Sequence, residues 1–479
     1  MDINFTNPQL LPSADAGGPA ASLPSQAMSK GITRTLVLSS RTVTAMALLL
    51  FVLVGFRVSA QAPTQGSTPA TPKEEFYSPQ DRDLAIKQAS IFKAKDVGQV
   101  DILTGPKQKN DLFRFHFNDK VTCEFAEPGS KMGGNTPKFL CKVTKVESTD
   151  GKVQTLTPAM NEEPVKVKFG ADNREVYAEI ISSRLLWALG FYTDAWFPIQ
   201  VTCVNCPSNP YSGSGPAGER NYPQASIVRK FDGHKMYEIG KEDEGWSWKE
   251  LDLNGRPSYE KDGLKLMAAF ISHSDNKPPQ QRLVCHGVDV NTSTTPYKTT
   301  CKESDMVVQD VGATFGGGGL FTGNTTAKVN LHEWSNKPVW NKGGVRAESL
   351  TGNKQPPECQ ARLKKSLTAK DGLDNPTISE EGRRFTAGLL CQLSDGQIED
   401  LFKAARVAEM PEHHNADGSF KQGESEDKIV QQWVTVFKQK REDLAGARCR
   451  WHNQPADLSV IDNPAGLPKV PNNCTAHPN

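Results

Sequence analysis

The sequence predicts an α+β fold, a sheet-rich part followed by a mainly helical one, behind a disordered N-terminal leader. Three observations predict it. Apolar residues alternate with period 2 through 111–170, and capped stripes of period near 3.6 occupy the last third. The first hundred residues show neither pattern: they hold one apolar run and a stretch rich in Pro, Thr, Ser and Gln.

Composition narrows the class. The chain has 479 residues, which suits two or three compact units. Its 56 Lys+Arg against 55 Asp+Glu leave a net charge of +1, so nucleic acid is not an expected partner. Val43–Phe56 is apolar, follows Lys30, Arg34 and Arg41, and precedes Val58-Ser59-Ala60. That run is short for a bilayer span of about 20 residues and suits the apolar part of an export signal. Residues 1–60 are read as a signal peptide or a membrane anchor, with membrane contact only through 43–56. All 10 cysteines follow this leader, so disulfides and an extracytoplasmic location are expected, periplasmic, secreted or membrane-anchored.

Residues 61–100 read as a linker, from the composition of QAPTQGSTPATPKEEFYSPQ. The sheet-rich part is placed at 101–235. Its strands carry Phe113, Phe115 and Phe117; Val121, Cys123 and Phe125; Phe139, Cys141 and Val143; and Val165, Val167 and Phe169. A hairpin over the second and third would bring Cys123 opposite Cys141. Between them lies a glycine-containing turn, Pro128–Thr136. Asn173 is the expected N-cap of a helix with Val176, Ile180, Ser183 and Trp187 on one face, ended by Gly190. Strands over Phe197–Cys203 and Ala225–Phe231 flank a Gly/Pro/Ser-rich loop. The mainly helical part is placed at 236–450. A helix over Asp262–Ile271 runs into His273-Ser274-Asp275, and two short strands follow at 282–284 and 306–308, with Cys285 and Cys301 closing a polar loop. Ser394 and Gln397 make a capping box, and Ile429, Trp433, Val436 and Phe437 mark a further helix. Residues 451–479 read as a loose tail.

This order of parts suits phosphoryl transfer. A turn with small side chains lets backbone N–H groups approach phosphate oxygens, a lysine neutralises them, and two aspartates serve the acceptor hydroxyl and a metal. His273-Ser274-Asp275-Asn276-Lys277-Pro278-Pro279-Gln280 resembles the protein-kinase catalytic loop His-Arg-Asp-Leu-Lys-Pro-Glu-Asn. Asp310-Val311-Gly312-Ala313-Thr314-Phe315-Gly316 resembles the metal-binding Asp-x-Gly of secretory-pathway and, more loosely, phosphatidylinositol kinases. The resemblance covers roughly 110–330 as an order of short motifs. It implies a two-lobed protein-kinase-like fold, with a sheet-rich N-lobe over 101–235, a mainly helical C-lobe over 236–450, and ATP and Mg²⁺ or Mn²⁺ between the lobes. Asp275 would be the catalytic base and Lys277 would stabilise the transferring group. Lys168 would contact the nucleotide phosphates and Glu179 would hold Lys168, although Lys166 and Glu175 compete for these two places. Gly133 and Gly134 would cover the phosphates, and Asp310 with Gln280 would bind the metal. Gln280 stands where the family has Asn, on a longer stem.

Other motifs fall to plainer readings. Cys203-Val204-Asn205-Cys206 has no second Cys-x-x-Cys and reads as a local disulfide. Gly316–Gly319 lacks a following Gly-Lys-Ser/Thr, and His332-Glu333 lacks the second His of a zinc protease. His413-His414 reads as solvated, and Trp246, Trp248, Trp334 and Trp340 as packing residues. Three functions stand: an exported kinase-like phosphotransferase with an unknown hydroxyl-bearing acceptor, a kinase-shaped binding module without transfer, and a disulfide-stapled structural protein.

Overall fold

The computed structural model describes residues 75–107, 114–128, 132–134, 136–156, 163–238, 245–291, 298–316, 328–346, 356–451 and 474. All lie in the compact unit Ala70–Asn479; the leader expected over 1–60 falls outside them. No helix among the described residues is long and apolar enough to cross a membrane.

The described chain opens with β1 (Glu75–Tyr77) and α1 (Pro79–Gln88). The Ser78 hydroxyl accepts from the Asp81 N–H, and Pro79 takes the first helical position, where an N–H has no partner to lose. Tyr77, Ala85, Ile86 and Ile91 are buried in the main core. The stretch 75–100, expected as linker, is therefore part of the folded unit; its few apolar residues are too sparse to show a period, and most of them are buried while Leu84 is exposed.

The next elements are β2 (Asp119–Ala126), β3 (Lys138–Glu147), β4 (Val153–Thr155), β5 (Val165–Phe169), α2 (Glu175–Ala188), β6 (Ala195–Asn209), β7 (Ser214–Arg229) and β8 (His234–Glu238). Among the described residues one sheet runs β2-β6-β7-β5-β3-β4, and β2 also pairs with β3. β2, β6, β7, β5 and β3 thus close a ring, parallel only at β2–β6. Closure satisfies the backbone edges of all five strands. Inside, Val121, Phe139, Val167, Phe197, Ile199 and Ile227 build a separate core, with the Cys123–Cys141 disulfide across β2 and β3. The expected strand around Phe115 and Phe117 does not form over 114–118. Instead the Asp119 carboxylate accepts from the His116 N–H at 2.7 Å and Asn118 adopts φ 61°, making a turn. The expected loop between Cys203 and Ala225 is mostly hairpin. Its prolines are tolerated because register shifts interrupt the ladder at Cys203–Cys206 and Pro207–Asn209. Cys203 and Cys206 are disulfide-bonded.

Beyond it come α3 (Trp248–Leu253), α4 (Ser258–Phe270), β9 (Gln281–Asn291) and β10 (Lys298–Val308), then α5 (Leu331–Ser335), β11 (Trp340–Lys342), β12 (Val345–Arg346), β13 (Cys359–Ala361) and β14 (Thr377–Ile378). α6 (Glu380–Cys391), α7 (Asp395–Ala404), α8 (Glu426–Gly446) and β15 (Ala447–Arg448) complete the chain. β1, β8, β9 and β10 form a second sheet, its β9–β10 hairpin joined by Cys285–Cys301. The main core packs α2, α4, α6, α7 and α8 around Trp334, Trp433 and Phe437. The Ser394–Gln397 capping box is present. Cys359–Cys449 and Cys391–Cys474 tie distant segments, so the tail expected to be loose is fixed at the buried Cys474. α2 packs against β6, β7 and α7, and nearly all its residues are buried.

Candidate functional site

Alternation along β5 sends Val167 into the barrel core and Lys168 to the opposite face. There Lys168, 1% exposed, meets α2. Glu175 and Glu179 stand one turn apart on one face of that helix. Lys168 Nζ lies 2.7 Å from Glu175 Oε2 and 3.1 Å from Asp310 Oδ1, and also donates to Glu179 Oε1. Glu175 further accepts from Thr136 Oγ1 at 2.8 Å and Lys328 Nζ at 2.5 Å. Glu179 Oε2 accepts the Val311 N–H at 3.0 Å. The start of α2 is anchored twice: Asn173 Oδ1 accepts the Glu175 N–H, and Arg174 makes a two-pronged pair with Glu412 at 2.7 and 2.5 Å.

Burial opposes every charge in this cluster, and the neighbours decide the outcome. Asp310, Glu175 and Glu179 hold the Lys168 ammonium well above its usual pKa despite burial. Burial is outweighed at Glu175 by Lys168 and Lys328, which bring it down to about 2. At Asp310, Lys168 and Lys166 likewise hold the carboxyl well below the usual range. Glu179 goes the other way, pushed up to about 8 by burial. Carboxylate oxygens of Glu175, Glu179 and Asp310 all lie within 4.8 Å of one another, close enough for one cation.

α4 ends at Phe270, and Ser272 turns the chain with φ 54° into the segment 273–280. His273 is fully buried, which lowers its pKa against the pull of Asp275 and Asp310. Asp275 Oδ1 lies 2.9 Å from Lys277 Nζ, and Oδ2 accepts from Gln280 Nε2 at 3.1 Å. Asn276 is the anchor: its side chain donates to the His273 carbonyl and its own carbonyl accepts from Trp248 Nε1. Backbone bonds Ser274 N–Ala313 O at 3.0 Å, Gln309 N–Gln280 O at 3.1 Å and Phe315 N–Ile271 O at 2.7 Å lay this segment along 309–315. Asp310 itself adopts φ 46°. At Gly312 a Cβ would sit 2.8 Å from Glu175 Cγ, so only glycine lets the segment approach α2.

The predicted residues therefore fall into three neighbouring groups. Lys168, Glu179 and Asp310 share one ion cluster; Asp275, Lys277 and Gln280 share a second on the adjoining segment. Gly133 and Gly134 lie in the turn that leads to Thr136, which touches Glu175. Gly134 has φ 82°, and its carbonyl accepts from Tyr211 Oη. Glu175, first weighed as a substitute for Glu179, joins it instead; the four-residue spacing was the readable signal. Thr136, Lys138 and Lys328 carried no motif and were missed. His413 and His414, expected to be solvated, are half-buried, with His413 beside Glu424 at 3.2 Å and His414 Nε2 beside the Ala408 carbonyl.

No protein family matches the chain, and no curated protein matches it. Among solved structures it is similar to the Helicobacter pylori proinflammatory kinase CtkA, with a TM-score of 0.31 and 10% sequence identity. That similarity covers 67% of this chain and 94% of that chain. At this TM-score the likeness carries no argument about function.

Proposed function

We propose that the chain is an extracytoplasmic phosphotransferase of two-lobed, kinase-like build. It would move the terminal phosphoryl group of ATP, with Mg²⁺ or Mn²⁺, to an unidentified hydroxyl-bearing acceptor. The observation that carries this reading is the buried Lys168 shared by Glu175, Glu179 and Asp310, with the Asp275 segment hydrogen-bonded alongside. The five disulfides support an oxidising compartment.

The donor set fits the metal. Carboxylate oxygens are hard ligands of the kind Mg²⁺ and Mn²⁺ take, and three converge here. Asp310 would hold the ion, with Glu175 or Glu179 as a further oxygen ligand and Gln280 at the edge. A bound divalent ion supplies positive charge against the charge that develops on phosphate oxygens. The remaining work falls to side chains. Lys168 is held by carboxylates from α2 and would turn its third N–H from Asp310 to a phosphate oxygen once Asp310 takes the ion. Asp275, steadied by Lys277 and Gln280, would take the acceptor's hydroxyl proton as that oxygen bonds the terminal phosphorus and ADP departs. Buried His273 supports the turn that presents Asp275.

A binding module without transfer is the second reading. Gln280 favours it, because its amide nitrogen is turned to Asp275. Thermal melting of the full chain, disulfides intact, with ATP and Mg²⁺ or Mn²⁺ separates these from a structural protein. Ligand at 100 times its dissociation constant should stabilise by about 2.7 kcal/mol, and Asp310→Ala should abolish the shift. Asp275→Asn should keep the shift and lose transfer of labelled phosphate by about 10²-fold or more. A parent with no shift for any nucleotide and metal sinks the proposal.

A further inference from the structure

Lys138 and Lys168 are directly opposite each other in the β3–β5 ladder. Both are buried, at 6% and 1% exposure, and both project away from the barrel core that takes their neighbours Phe139 and Val167. Like charges in directly opposed positions destabilise a sheet, and a buried charge needs a partner. Three carboxylates serve Lys168, whereas no described residue gives Lys138 a hydrogen bond or an ion pair. Its ammonium lies 5.7 Å from the centre of the Tyr211 ring. Tyr211 also donates to the Gly134 carbonyl, and a Cβ on Gly134 would sit 2.8 Å from Lys138 Nζ. Gly134 thus lies against a cation that makes no ion pair with a described residue, beside Lys168.

We infer that Lys138 is a second phosphate-binding residue, taking the terminal phosphates of a polyphosphate ligand together with Lys168. Tyr211, at the tip of the β6–β7 hairpin, positions it and the glycine turn. The inference rests on the nucleotide reading for the identity of that ligand, but not for its anionic chemistry. Asp310 and Glu175 act on Lys138 only from beyond ion-pair distance, and an arriving phosphate supplies the direct anionic partner that no described residue gives it, so affinity is gained where resting stability is given up.

The test is calorimetric binding of ATP, AMP and inorganic tripolyphosphate, each with Mg²⁺, to the full chain and its Lys138→Met and Lys138→Arg variants. Lys138→Met should weaken ATP and tripolyphosphate at least tenfold, leave AMP within twofold, and melt no lower than the parent without ligand. Lys138→Arg should bind ATP within a few-fold of the parent. If Lys138→Met binds ATP like the parent while Asp310→Ala does not, this inference falls and the nucleotide reading stands. If tripolyphosphate binds in a Lys138-dependent way but ATP is not preferred over it, the nucleotide reading falls and the anion site stands. Loss of unliganded stability in Lys138→Met, with all three ligands weakened equally, makes Lys138 structural and overturns the inference. A parent that binds none of the three overturns both.

Discussion

Replacing Lys168 with Met should expose how this cluster is balanced. The side chain is 1% exposed and its ammonium touches Glu175, Glu179 and Asp310. Glu175 would keep Lys328 and Thr136, and Glu179 would keep the Val311 N–H. Asp310 would lose its one described ion pair. Removing one side of a buried ion pair costs about 3–5 kcal/mol, because the charge left behind has no water to return to. At about 2 °C for each kcal/mol, the melting temperature should fall by roughly 6–10 °C in chelator. Three carboxylates freed of their lysine should then bind a divalent cation better than the parent does. Mn²⁺ at about 100 times its dissociation constant should return about 2.7 kcal/mol, over half of the loss. Differential scanning calorimetry of parent and Lys168→Met, with and without Mn²⁺, reads both numbers. A variant as stable as the parent and indifferent to Mn²⁺ would refute the view that Lys168 stands in for a cation among these carboxylates. Its ladder partner sharpens the test, since Lys138→Met removes a buried charge that makes no ion pair with a described residue and should cost nothing.

Three other outcomes follow from the same geometry. Glu179 is held at about 8 by burial in the folded chain against about 4.5 when free, so the folded protein keeps a proton that the unfolded chain releases. That contribution is full below about pH 4.5 and is lost as pH rises to about 8, by at most ~1.4 kcal/mol per pH unit. Melting curves in chelator at pH 5.5, 7 and 8.5 should therefore converge or cross between parent and Glu179→Gln, which cannot titrate; parallel curves would refute the assignment. Gly312→Ala drives a Cβ to 2.8 Å from Glu175 Cγ, which should cost about 1–3 kcal/mol and weaken Mn²⁺ binding in titration calorimetry; unchanged melting would mean the segment can back away freely. Opening Cys359–Cys449, which spans 90 residues, should cost about 4.6 kcal/mol by chain entropy. A Cys359→Ser/Cys449→Ser double variant with an unshifted urea midpoint would argue that the free ends stay together without the bond.

Much of the site was legible because its parts are local. Lys168 follows from strand alternation, Glu175 and Glu179 from helical spacing, and Asp275 and Asp310 from short motifs at the ends of a helix and a strand. The Cys123–Cys141 and Cys285–Cys301 bridges were readable for the same reason: each closes a short hairpin whose register its own alternation sets. Ser394 and Gln397 announced their helix through three residues of spacing.

What the tertiary structure alone decided is where those local pieces meet. Nothing in the alternation of β2 says that it pairs in parallel with β6 and closes a ring, because a strand's period is the same whatever lies beside it. The bridges across 90 and 83 residues depend on the packing of α6 and α8, not on any spacing near the cysteines. The hairpin over 195–229 hid behind prolines and glycines that argue for loop until register shifts absorb them. Most tellingly, Lys138 and Lys168 read alike in sequence, each a lysine beside an apolar strand residue. Only the approach of α2 and the Asp310 segment brings three carboxylates into ion-pair distance of Lys168 and no described carboxylate into that distance of Lys138, since the sign and distance of a neighbouring charge belong to the fold and not to the strand that carries the lysine.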